Sequence, residues 1–298
     1  MGGGNMLEDL AQFVGSGLTR GSIYALAGMG LAIIYNASNI INFAQGEFVM
    51  LGGMLTAFLF ATTGLLPLWL AVPLAIIAST LVGVAVHRFA IEAARQASLA
   101  TLIIITIGAS VLIRGIVEVT LGKREFVFPA FSGETSVQVL GASVASQSLW
   151  VLGALAIVAA LLWWFFEKTL FGKAMRATAQ SSLAAQLVGV ETRHVLLVSF
   201  GLAAALGALA GVLITPITLT RYDIGIMLGL KGFAATMLGG LGNPFGALAG
   251  GLVLGLVEAF AGGYVSSGYQ DAVAFLIILV VLMIRPAGLF GRVAVDRV

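Results

Sequence analysis

The densest run of polar residues in this 298-residue chain is Asn36 to Glu47, NASNIINFAQGE. Its side chains are mainly amides with one carboxylate, groups that can hydrogen-bond a passing solute. Asn39, Asn42 and Gln45 recur at three-residue steps, so a helix would align them on one face and turn Glu47 elsewhere. Two readings follow. The run is either a wet turn between two apolar blocks or a discontinuous helix whose amides line a translocation path, because broken backbone at membrane depth persists only beside protein or a water-filled cavity. On the second reading Asn39, Asn42, Gln45 and Glu47 belong to a substrate pathway. Neutral amides hold a passing solute weakly, whereas a bare carboxylate would hold a cationic group too firmly for fast release. A buried Glu47 then needs a partner, either backbone amides at the start of the following helix or a cation such as Lys231.

Other chemistry is missing. No G-x-x-x-x-G-K-[ST] phosphate loop, H-E-x-x-H zinc motif, nucleophile elbow or catalytic carboxylate pair occurs, and there is no cysteine. His87 and His194 are isolated in sequence and read as interfacial side chains. No catalytic residue, metal, cofactor or nucleic-acid partner is expected. Arg114 and Glu118 lie four apart and read as a mutually neutralising pair on one helix, while Glu258 and Asp271 flank a turn and read as carboxylates reaching the membrane interface.

The elements that must position these residues are membrane helices. Charged residues make up 9% of the chain, hydrophobic residues 60%, and long uncharged blocks separate the charges. About 20 apolar residues match a hydrocarbon core about 30 Å thick, and a charge at its centre costs about 3 kcal/mol. Apolar segments fall near 11–35, 42–63, 68–88, 98–120, 149–166, 195–216, 226–241, 244–262 and 270–285. The expected fold is therefore an all-α polytopic membrane protein of eight or nine transmembrane or re-entrant helices, forming one transmembrane domain over 6–298. The segment 226–241 is short and contains Lys231, so it is either a span or re-entrant. Residues 1–5, ahead of a second methionine, read as an added leader, and the acidic Glu8 and Asp9 argue against a secretory signal. The six prolines sit at or near segment ends. Glycine pairs Gly17/Gly21, Gly207/Gly211, Gly246/Gly250 and Gly251/Gly255 have the small-xxx-small spacing of close helix contacts.

Cations are distributed unevenly. Arg88, Arg95, Lys168, Lys173, Arg176, Arg193, Arg285, Arg292 and Arg297 fall in one set of connections, and Lys123, Arg124 and Arg221 in the other. Nine against three places the first set in the cytoplasm, the N-terminus outside and the C-terminus inside. The connection 121–148 is then external and suited to a strand pair or surface helix. The connection 167–194 is cytoplasmic and helix-rich from Lys173 to Leu187, with Gly172 and Gly189 as breaks, a form suited to docking a soluble partner.

Three stretches carry a family resemblance: Ile41-Asn42-Phe43-Ala44-Gln45-Gly46-Glu47 with Gly52-Gly53; Gly172-Lys173-Ala174-Met175-Arg176-Ala177 leading to Ala184-Ala185 and Gly189-Val190; and Lys231-Gly232-Phe233 through Gly239-Gly240, Gly246-Ala247 and Gly250-Gly251 to Glu258. Over nearly its whole length the chain resembles permease subunits of branched-chain amino-acid ATP-binding-cassette importers, more closely the LivH type than the LivM type. Two departures stand out: Gln45 where members often carry His, and Ser181-Ser182 where Asn is common. The resemblance implies an inner-membrane pore half in a heterodimer with a LivM-type permease, two cytoplasmic ATPases that supply ATP hydrolysis in trans, and a periplasmic binding protein. It also implies that Gly172, Arg176, Ala177, Ala184 and Gly189 belong to the segment that couples to the ATPases. Relatives that carry urea, short amides or aromatic acids are the alternative for the solute, and a stand-alone secondary transporter, channel or scaffold is the alternative for the class.

Overall fold

The computed structural model describes residues 6–62, 66–94, 97–133, 135–139 and 141–291. The leader at 1–5 and the cations Arg95, Arg292 and Arg297 lie outside the described residues. Eleven α-helices dominate: α1 (Met6–Ser38), α2 (Gln45–Ala57), α3 (Leu68–Ala85), α4 (Leu99–Leu121), α5 (Ser146–Lys168), α6 (Leu170–Gln180), α7 (Ser182–Leu187), α8 (Thr192–Thr218), α9 (Ile224–Gly239), α10 (Pro244–Tyr264) and α11 (Gln270–Ile284). Helix α2 runs on into a π-helical turn Phe58–Thr62 and α3 into another at Val86–Ile91. Among the described residues, seven helices are long and apolar enough to cross a membrane, and the apolar helices Gln45–Ala61 and Ile224–Gly239 are shorter. The expected span 42–63 is therefore curtailed, because its first residues are not helical.

From Gly21 to Ile34 helix α1 carries no charge, and it occupies the centre, packing on α8, α9 and α10. A helix without a polar stripe must be covered on every side, and Ile23 to Ile34 are buried without interruption. Glycines make the cover close. A Cβ on Gly17 would fall 2.9 Å from Leu256 Cα, and one on Gly21 would fall 2.9 Å from Leu252 Cα, so the Gly17/Gly21 and Gly251/Gly255 pairs face each other across the α1–α10 crossing. The other two pairs also lie at helix contacts, Gly207/Gly211 against Phe48 and Val49 of α2 and Gly246/Gly250 against Gly239 of α9.

The connections sort to two ends. An antiparallel pair, β1 (Ser136–Val139) with β2 (Ala142–Ala145), lies beside Glu8 and Gly15 near the start of α1. Near the other end of α1, Asn36 and Ala37 meet Phe166 and Met175, and Asn36 meets the α9–α10 turn at Gly242. That turn is set by sequence: Gly240 and Gly242 adopt positive φ, the Asn243 side chain accepts from Gly246 N at 3.0 Å to cap α10, and Pro244 takes the first helical position. Pro73 departs from expectation, sitting inside α3 instead of at its end.

Candidate solute pathway and coupling segment

Helix α1 ends because Asn39 takes a left-handed conformation (φ 56°), which asparagine tolerates better than most residues. The chain then has no regular structure over 40–42 and turns at 43–44, where Gln45 N donates to Asn42 O at 3.2 Å, before α2 begins. This break lies well inside the bundle: Gln45 donates through Nε2 to Ala203 O at 3.0 Å, midway along α8, and a Cβ on Gly30 would collide with the same amide. Gly30 stands eight residues before Ser38, so at 1.5 Å per residue α2 starts about 12 Å below the end of α1. Backbone at such depth needs internal partners, and it has them. Asn39 N donates to Tyr35 O (2.7 Å), Ile40 N to Ser38 Oγ (3.1 Å), Phe43 N to Thr106 Oγ1 (3.2 Å) and Ala44 N to Asn42 Oδ1 (3.1 Å).

The expected single face of Asn39, Asn42 and Gln45 does not form. A helix is required to align them, and 39–44 is not one; Asn39 is exposed while Asn42, Gln45 and Glu47 are buried. The partner of Glu47 is a cation, as one expectation had it, but it is Arg114 and not Lys231. Its Oε1 accepts from Arg114 Nη2 at 2.8 Å, Arg114 Nε at 3.2 Å and Ser110 Oγ at 2.8 Å. Gly46 packs on Gly225 and Gly229 of α9 so closely that a Cβ on Gly46 would fall 2.9 Å from Gly229 Cα, and Lys231 is turned away to another cluster. Arg114 accordingly does not pair with Glu118, which takes Lys123 at 2.7 Å. A fully buried carboxylate gains more from the guanidinium than the one-third-exposed Glu118 would.

Between these elements lies a cavity of about 280 Å³. Asn42, Gln45, Glu47, Ser110 and Arg114 supply its polar part, and Leu31, Ile107, Ile226, Leu230 and Phe233 its apolar part. Three buried atoms of that polar set have no hydrogen-bond partner: Asn42 Nδ2, Gln45 Oε1 and Glu47 Oε2. Each such atom costs on the order of 1–3 kcal/mol.

A second ionic cluster ties four helices together. Lys231 of α9 donates to Glu258 Oε1 of α10 at 2.9 Å and to Tyr24 of α1 at 3.1 Å, and it pairs with Asp271 of α11 at 2.7 Å; Arg20 reaches Glu258 at 3.5 Å. Glu258 is thus buried rather than interfacial as expected, because α10 turns it inward to meet the Lys231 ammonium.

A model of the "Branched-chain amino acid transport system / permease component" family matches residues 13–282. The chain is 34% identical to the high-affinity branched-chain amino acid transport system permease protein LivH of Salmonella typhimurium, over 95% of this chain and 96% of that one. The chain belongs to this permease family. It is also 32% identical to the corresponding permease BraD of Pseudomonas aeruginosa, covering 95% of this chain and 96% of the relative. Among solved structures, PsaBC from Streptococcus pneumoniae in complex with Fab has the same fold, with a TM-score of 0.51 at 14% identity and 92% of each chain covered. As an ABC importer permease, this multi-pass membrane protein is a transport subunit that works with ATPase and substrate-binding components.

In the permease, the stretch 167–194 folds as two short helices with a sharp bend. Thr169 Oγ1 accepts from Gly172 N at 2.9 Å and starts α6, so Gly172 is not a break; it lets the helix pack on the backbone of Phe165 and Phe166. Ser181 is extended (φ −161°, ψ 110°) and its Oγ accepts from Ala184 N at 3.2 Å to cap α7. Gly189, at φ 88°, ends the unit. Arg176 pairs with Glu167, both half-exposed, and Ala177 is partly buried beside it. Ala184 is exposed on α7, where Leu183, Leu187 and Val188 are 69%, 81% and 79% exposed. The unit is joined to the end of α3 through Arg193, which pairs with Glu92.

Proposed function

We propose that the chain is a pore half for branched-chain or other hydrophobic amino acids, paired with a LivM-type permease and served by two ATPases and a periplasmic binding protein. The carrying observation is the end-to-end likeness to LivH and BraD, whose names give that solute class. A cavity with a small polar end and a larger apolar wall accords with such solutes, which need one hydrophobic side chain housed. Asn42, Gln45 and Glu47 then stand beside the path, with Asn39 serving to end α1. The exposed apolar α7 and the Arg176–Glu167 pair form the surface that the ATPases engage, and Gly172, Ala177, Ala184 and Gly189 shape it. Orientation follows the cation bias: the end carrying Arg88, Lys168, Lys173, Arg176, Arg193 and Arg285 faces the cytoplasm, and the N-terminus lies outside the inner membrane.

Reconstitution tests the solute. The full complex in proteoliposomes, with ATP and its binding protein, is expected to take up leucine and valine. Uptake of urea, short amides or aromatic acids in their place would transfer the protein to another solute class, and uptake without any ATPase would refute the importer reading. Orientation is tested separately. Single cysteines replacing Ser136 and Ser182 should react with an impermeant maleimide from opposite faces, Ser136 from outside, and equal labelling from outside would overturn the assignment.

A further inference from the structure

We propose that the cavity between the α1–α2 break, α4 and α9 is a transient solute site that reads both charged ends of a zwitterionic amino acid. This deepens the amino-acid reading above and rests on it.

Two amides and one carboxylate at the cavity have hydrogen-bonding capacity left over. Asn42 spends Oδ1 on Ala44 N, which leaves its Nδ2 donor free. Gln45 spends Nε2 on Ala203 O, which leaves its Oε1 acceptor free. Glu47 spends Oε1 on Arg114 and Ser110, which leaves Oε2 free. The used atoms fix which way each amide faces. One donor and two acceptors therefore remain on residues that line one cavity, all buried and all unpartnered.

That set is complementary to an α-amino acid: the carboxylate takes the Asn42 donor, and the ammonium takes Gln45 Oε1 and Glu47 Oε2. The apolar wall of Leu31, Ile107, Leu230 and Phe233 then receives the side chain. Charge agrees as well. Glu47 and Arg114 form a net-neutral pair, so the site meets a net-neutral solute, and the guanidinium weakens the hold of the carboxylate on the ammonium. Release remains possible, as a transit site requires. The free atoms are shielded from water in this state, so the solute enters when α9 moves off Gly46, where only glycine backbone separates the two helices.

The test is equilibrium competition against radiolabelled leucine on the detergent-solubilised complex of permeases and ATPases, without the binding protein. Leucine is expected to compete at least tenfold better than 4-methylpentanoate, which lacks the ammonium, and at least tenfold better than isopentylamine, which lacks the carboxylate. Gln45→Met should collapse the first ratio towards unity and spare the second; Asn42→Asp should collapse the second and spare the first. A residue that merely shapes the fold would lower all three ligands together, and that result would overturn the proposal. So would wild-type ratios near unity, or no saturable leucine binding in a complex that transports leucine. If the wild-type complex takes up no leucine in proteoliposomes, the amino-acid reading itself fails; if it does and both variants keep wild-type ratios, only the cavity assignment fails.

Discussion

Two ionic clusters are buried in this permease, and they differ in how they are closed. The Lys231 cluster joins α1, α9, α10 and α11 with two cations, Lys231 and Arg20, and two carboxylates, Glu258 and Asp271, bridged by Tyr24. The Glu47–Arg114 cluster joins only α2 and α4, with Ser110 as third member, and it borders a cavity on whose wall three polar residues keep unpaired atoms. The first has the form of a clamp and the second of a socket. A clamp is measured by what its loss does to folding, a socket by what its loss does to the solute.

The largest effect is expected from Lys231→Met. It removes the central cation and leaves buried Glu258 with the Tyr24 hydroxyl and, as its one remaining countercharge, the half-exposed Arg20 guanidinium at 3.5 Å, a situation worth about 3–5 kcal/mol of destabilisation. Thermal unfolding in detergent and the yield of folded protein should both fall sharply. A variant as stable as the parent would show that the cluster is no clamp. Glu47→Gln should do less, about 1.5–3 kcal/mol, because the new amide still accepts from Ser110 while Arg114 loses its countercharge. Pairing it with Arg114→Gln sharpens the contrast, since the double variant removes both charges together and should recover part of that loss. Additive single effects would mean that Glu47 and Arg114 are not coupled. The smallest folding effect belongs to Arg176→Glu, whose partner Glu167 is half-exposed: unfolding should change by less than about 1 kcal/mol. Co-purification of the ATPases should instead drop roughly tenfold or more, the cost of one charge-assisted contact at about 1.5–3 kcal/mol. Normal ATPase recovery and normal uptake in that variant would remove α6 from the coupling surface.

How much of this was legible beforehand depended on range. Apolar blocks declare spans because lipid tolerates little else, and the glycine pairs declared helix contacts that all four make. The strand pair at 136–145 stood among the options for its stretch. The partner of Glu47 was not legible. Arg114 lies 67 residues away, and its own neighbour Glu118 offered a local pairing that only the depth of Glu47 in the bundle overrides. The break after α1 was expected, but its effect on the amides was not, because their three-residue spacing imitated a helical face that the left-handed Asn39 interrupts. Glu258 was misplaced for a related reason: its distance from the end of α10 suggested an interface, and the inward turn depends on Lys231 in a different helix. Gly225 and Gly229, which bring α9 against Gly46, carried no signal beyond being two of 39 glycines.

The glycine-to-glycine crossing of α1 and α10 has a mechanical consequence. Backbone touches backbone there, with Gly21 against Leu252 and Gly17 against Leu256, and no long side chain intervenes that could change rotamer and let one helix slide over the other. The two helices form a stiff spindle through the middle of the permease. On the proposed docking of the ATPases at α6 and α7, a push there has an ionic route that bypasses this axis, from Arg193 through Glu92 to the π-helical foot of α3.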